Sequence, residues 1–119
     1  MVQGLDHIAL IVSSEESLRF YEKLGFRETE RFERSYDTVV YMKCGNITLE
    51  LFVDSNHPER VSSPEAKGLR HMAFTVDKIE TLDVEMKEIR TDWFGRRFTF
   101  VKDPDGLPIE IKEYGSTLK

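Results

Sequence analysis

The feature that most constrains this chain is an internal repeat. Leu5-Asp6-His7-Ile8-Ala9-Leu10-Ile11-Val12 returns as Leu69-Arg70-His71-Met72-Ala73-Phe74-Thr75-Val76. Ile47-Thr48-Leu49-Glu50-Leu51 returns as Leu107-Pro108-Ile109-Glu110-Ile111. Each copy carries one His early and one Glu late, so two similar halves related by a pseudo-twofold would bring His7, Glu50, His71 and Glu110 to one place. The interval from His to Glu is about four residues shorter in the second copy, as expected of a duplication with local decay.

Alternation within the strands sorts these residues onto one side. His7 shares its face with Ala9 and Ile11, and His71 with Ala73 and Thr75, while Ile8, Leu10 and Val12, or Met72, Phe74 and Val76, point the other way. Glu50 lies with Thr48 and Phe52, and Glu110 with Pro108 and Lys112, opposite Leu49, Leu51, Ile109 and Ile111. All four groups fall on the less apolar face. The strongly apolar face needs helices to cover it, which leaves the other face free to line a cavity.

The elements follow from local pattern. Residues 4–12 read as a strand and 14–24 as a helix, with Ser13 as N-cap, Glu16 completing a capping box and Gly25 as the left-handed stop. Strands are expected at 26–34, 38–43 and 47–53, with Cys44-Gly45-Asn46 as the turn between the last two. Residues 54–68 are polar, hold two prolines and lack an apolar period, so they read as the connection between the halves, either a plain surface linker or a lid over a site. The second half opens with strand 69–76 and a second capping pattern, Asp77 with Glu80. Over 84–90 the spacing suits a helix or a strand equally. Strands 96–102 and 107–113, joined by an Asp103-Pro104-Asp105-Gly106 turn, close the chain. The expectation is one α+β domain over 1–119, built from βαβββ modules at 4–53 and 69–113 in a cupped mixed sheet with helices outside.

Composition narrows the function. At 119 residues the chain can bury a core without staples, and its single cysteine, Cys44, cannot pair within the chain, as suits a reducing cytosol. No secretory leader or apolar run of membrane-spanning length is present, so a cytoplasmic protein with no membrane partner is expected. A net charge of -5 without a run of Lys or Arg argues against nucleic acid.

Two imidazoles and two carboxylates on one lined face are costly to bury unpaired, and a divalent cation satisfies all four. Mixed nitrogen and oxygen ligation suits Zn, Ni, Co, Mn or Fe and leaves positions for water or substrate, which favours catalysis over stapling. His57 has no counterpart in the other copy and is left out of the set.

Beyond the repeat itself, the chain resembles the vicinal-oxygen-chelate superfamily, in particular its small bacterial glyoxalase I (lactoylglutathione lyase)-like members. The resemblance rests on Leu5-Asp6-His7-Ile8-Ala9, Phe20-Tyr21-Glu22-Lys23-Leu24-Gly25-Phe26, Gly68-Leu69-Arg70-His71-Met72-Ala73-Phe74, Arg97-Phe98-Thr99-Phe100 and Asp103-Pro104-Asp105-Gly106-Leu107-Pro108-Ile109-Glu110. It implies one divalent metal, held by His7, Glu50, His71 and Glu110, and a small-molecule substrate with two neighbouring oxygens. Glu50 is similar to the glyoxalase I ligand, where dioxygenases and fosfomycin-resistance enzymes have none and methylmalonyl-CoA epimerases have Gln. The implied chemistry is proton transfer next to a carbonyl through an enediolate, with Glu110 as base and Glu50 as the alternative. The readings of a noncatalytic drug- or metabolite-binding protein and of an extradiol dioxygenase stand beside it.

The resemblance also has edges. Bacterial glyoxalase I has Arg where Ile11 stands and Asn where Asp54 stands, so the usual glutathione contacts are not repeated. Arg70, Arg96 and Arg97 are the cations available for an anionic substrate, and Trp93 with Phe94 suits an apolar wall or turn packing. In this superfamily one site is built from modules of one chain or of two, so a homodimer is among the expected assemblies.

Overall fold

A computed structural model describes residues 1–114. The chain forms two compact units, Met1–Pro58 and Glu59–Lys119, and their boundary falls inside the polar segment at 54–68. Among the described residues no helix is long and apolar enough to cross a membrane.

The first unit runs β1 (Ile8–Val12), α1 (Glu15–Lys23), β2 (Arg27–Glu33), β3 (Thr38–Cys44) and β4 (Ile47–Val53), in sheet order β1-β4-β3-β2. β1 pairs parallel with β4, so the chain must cross over between them, and in this unit α1 begins that crossover. Leu10, Val12, Met42, Leu49 and Leu51 are buried from the sheet, and Leu18 and Tyr21 from the helix; together they make the core. The expected α1 is present, but its cap is Ser14, not Ser13: Ser14 is extended, and its side chain accepts from the Glu16 N–H. Gly25 follows in the left-handed region at φ 109°, as expected. Cys44 is not a turn residue. It ends β3, and the reversal is made by Gly45 and Asn46 alone.

The second unit repeats the order with β5 (Met72–Val76), a 3-10 turn (Ile79–Thr81), β6 (Arg90–Thr91), β7 (Arg97–Lys102) and β8 (Pro108–Glu113), arranged β5-β8-β7-β6. Here the helix has shrunk to one turn, and residues 82–89 are neither helix nor strand. The segment is tied to β7 instead: the Lys87 N–H donates to the Phe100 carbonyl at 3.0 Å, and the buried Thr99 hydroxyl donates to the Lys87 carbonyl at 2.7 Å. Ile79, fully buried, supplies from the short turn the apolar cover that α1 supplies in the first unit.

The expected Asp77–Glu80 capping box does not form. Lys78 precedes the turn without a side-chain cap, and the Ile79 N–H is instead accepted by the Glu113 carboxylate from β8 at 3.1 Å. Glu80 pairs with Arg97, whose guanidinium also donates to Glu113 at 2.8 Å. A local signal lost to a long-range one because the buried carboxylate of Glu113 is aimed at the turn's free N–H, an arrangement that sequence spacing cannot display.

Candidate metal centre

The registers of the two units coincide. Ala9 stands opposite Glu50 across β1/β4, and Ala73 opposite Glu110 across β5/β8. In β1, Leu10 and Val12 are buried while Ala9 and Ile11 are exposed; in β8, Ile109 and Ile111 are buried while Glu110 and Lys112 are only half-covered. Alternation thus places Glu50 and Glu110 on the less buried face, as their spacing suggests.

Each unit brings its own His and Glu together. His7 Nε2 lies 3.2 Å from Glu50 Oε1, and His71 Nε2 lies 3.3 Å from Glu110 Oε1. His7 Nδ1 is 2.8 Å from Asp6 Oδ2. With Nδ1 turned to Asp6, the Nε2 edge of His7 faces Glu50 as that of His71 faces Glu110, so each unit presents one imidazole nitrogen and one carboxylate, a donor pair of the kind divalent ions take. The donor chemistry therefore fits a divalent metal. Within a unit the set is a pair; among the described residues no group of three or more His, Cys, Asp or Glu side chains forms a cage.

The surroundings of the pairs differ. Opposite Glu50 in β3 is Tyr41, whose hydroxyl donates to Glu50 Oε2 at 2.6 Å and whose pKa is raised chiefly by that bond. The His7 pKa is raised mainly by the hydrogen bond with Asp6, against a smaller opposing effect of burial. Opposite Glu110 in β7 is Phe100, whose ring meets His71 edge-on at 5.1 Å. Lys112 extends over the same face, 4.0 Å from Glu110 Oε2 and 2.6 Å from Asp92 Oδ2. Asp92 is pushed down to about 2, first by Lys112 and then by the N–H groups of Arg96 and Phe94 that its other oxygen accepts at 2.9 Å.

Of the remaining expected contacts, Arg70 is exposed and paired with Glu65, and Arg97 is engaged by Glu80 and Glu113. Arg96 donates from Nε to the Glu113 carbonyl at 2.9 Å. Trp93 and Phe94 are exposed within their unit rather than packed in its core. Tyr41, Asp6, Lys112 and Asp92 were not among the expected site residues. Tyr41 had a signal: a two-residue Gly45-Asn46 turn fixes the β3/β4 register and sets Tyr41 across from Glu50, whereas a three-residue turn does not.

Similarity to known proteins places the fold in a family. The family model of the Glyoxalase/Bleomycin resistance protein/Dioxygenase superfamily matches residues 4–111. The uncharacterized protein YwkD of Bacillus subtilis (strain 168) is 43% identical, with 95% of this chain and 98% of YwkD covered. The crystal structure of the glyoxalase family protein from Enterococcus faecalis is 36% identical at a TM-score of 0.83, covering 93% of this chain and 98% of that one. More distantly, a mutant of the fosfomycin resistance protein FosX from Listeria monocytogenes, complexed with Mn(II) and 1S,2S-dihydroxypropylphosphonic acid, shares the fold at a TM-score of 0.71 and 21% identity, covering 94% of this chain and 93% of that one. With its doubled β-sheet units and a family match across nearly its whole length, the chain belongs to the Glyoxalase/Bleomycin resistance protein/Dioxygenase superfamily.

Proposed function

We propose that the protein is a divalent-metal-dependent, glyoxalase I-like lyase or isomerase that moves a proton next to a carbonyl in a small 2-oxoaldehyde adduct. The observation that carries this reading is the matched pairing of a His Nε2 with a Glu Oε1 in both units, 3.2 and 3.3 Å apart and in the same register. His7, Glu50, His71 and Glu110 would hold the ion, with the two pairs drawn from one chain or from two copies of it. The Mn(II) in FosX supports a divalent ion in this fold.

When bound, the ion would act as a Lewis acid, stabilising the negative charge that develops on the substrate oxygens. The chain's own part is proton transfer. A Glu110 carboxylate oxygen would take the proton from one carbon and return it to its neighbour, leaving an enediolate between the two steps. Each Glu stands across from an alanine, Ala9 or Ala73, so the cross-strand neighbour takes little space beside it. Exposed Trp93 and Phe94 would supply an apolar wall for the substrate.

The test is elemental analysis of the purified protein, followed by reconstitution with Mn, Fe, Co, Ni or Zn and turnover of methylglyoxal with several thiols. One metal per site with thiol-dependent isomerisation, abolished by Glu110→Gln, is expected. A protein that takes up no divalent ion after reconstitution would end the reading in favour of a noncatalytic binder.

A further inference from the structure

The two His–Glu pairs match in register and spacing, yet they differ at two corresponding positions. Ahead of His7 stands Asp6, with Oδ2 2.8 Å from the ring nitrogen; ahead of His71 stands Arg70, turned to Glu65 at 3.0 Å. Across from Glu50 stands Tyr41, donating its hydroxyl at 2.6 Å; across from Glu110 stands Phe100, which has no hydroxyl to give. Both members of the first pair are therefore braced from outside, while at the second the corresponding bracing groups are replaced by an arginine engaged elsewhere and a phenyl ring.

From this juxtaposition we infer that Tyr41 is a positioning residue that fixes Glu50 as the stationary carboxylate of the site, leaving Glu110 as the one free to swing and carry the proton. The inference rests on the metal-dependent reading above. A carboxylate that shuttles a proton must rotate its oxygens between positions. Glu50 could do so only by breaking its short bond to Tyr41, whereas Phe100 offers Glu110 no hydroxyl and the nearby cation, Lys112, stands 4.0 Å from Oε2, beyond hydrogen-bond distance. The same bond holds one Glu50 oxygen on Tyr41 and leaves Oε1 directed to His7 Nε2. Outer partners of this kind orient ligands and raise metal affinity. Pseudo-symmetry would make the two glutamates interchangeable, and the Tyr-for-Phe difference removes that equivalence.

The test uses the full chain, Mn(II) as the metal, and methylglyoxal hemithioacetals as substrate. Tyr41→Phe should weaken Mn(II) binding, measured by competition with a chromophoric chelator, by about 10–100-fold. In a Glu50→Gln background the same change should have no further effect, an outcome that a merely structural role for Tyr41 would not produce. Phe100→Tyr, which sets a hydroxyl opposite Glu110, should lower kcat about tenfold while Mn(II) affinity stays within threefold of wild type. Mn(II) affinity unchanged in Tyr41→Phe, or lost equally in the Glu50→Gln background, overturns the role of Tyr41 and leaves the metal-dependent reading standing. Wild-type protein that binds no Mn(II) or other divalent ion overturns both.

Discussion

Replacing Glu113 is the most direct probe of how the second unit does without its helix. The carboxylate is nearly buried, at 8% exposure, and accepts both the Ile79 N–H at 3.1 Å and the Arg97 guanidinium at 2.8 Å. Glu113→Ala leaves the N–H of a fully buried residue without its acceptor, which costs about 1–3 kcal/mol. It also removes one of the two carboxylates on Arg97, whose side chain is 40% exposed; solvent screening limits that loss to about 0–1 kcal/mol. The expected total is about 1–4 kcal/mol, a fall in melting temperature on the order of 10 °C for a chain of this size. Glu113→Gln keeps an acceptor for Ile79 and should cost about 1 kcal/mol. Urea unfolding of both variants, with and without Arg97→Met, separates the two contributions through the double-mutant cycle. If Gln proves as damaging as Ala, the ion pair rather than the cap holds the turn; if Ala costs less than about 0.5 kcal/mol, the turn does not depend on Glu113 at all.

Two further outcomes follow from the structure. Gly25→Ala should destabilise the first unit by about 1–3 kcal/mol, since φ is 109° there and an added Cβ would lie 3.3 Å from Cys44 Sγ; a melting temperature equal to wild type would refute this. In acid, Asp92 is held near 2 against an ordinary 3.8, so the unfolded chain binds its proton first; the stability it contributes is full above about pH 4 and is lost as pH falls toward 2. Stability measured across that range should fall less steeply in Asp92→Asn, and an identical slope would show that Lys112 does not hold the carboxylate in solution.

The first unit is legible in the sequence because its signals are local. Apolar alternation in β1 and β4, the serine-led helix and the left-handed glycine each depend on neighbours a few residues away, and the structure moves the cap by only one position. In the second unit the deciding interactions are distant. Glu113, 34 positions beyond Ile79, displaces the capping pattern of Asp77 and Glu80, and the irregular run at 82–89 is held by Thr99 and Phe100 of β7. The same divide runs through the candidate site. That His7 goes with Glu50 and His71 with Glu110 could be read from the repeat, whereas Tyr41 on Glu50 required knowing that two residues, not three, make the β3/β4 turn.

β8 joins these matters mechanically. Its outward side carries Glu110 and Lys112, and its inward side carries Ile109, Ile111 and Glu113. A slip of one residue against β5 and β7 would turn Glu110 into the apolar core and swing the isoleucines to the surface, for the phase of a strand is all or nothing. Glu113 latches that phase, because its carboxylate meets the Ile79 N–H and Arg97 only when the strand is seated in the observed register. A side chain on the far face of the strand thus helps to fix which way Glu110 looks.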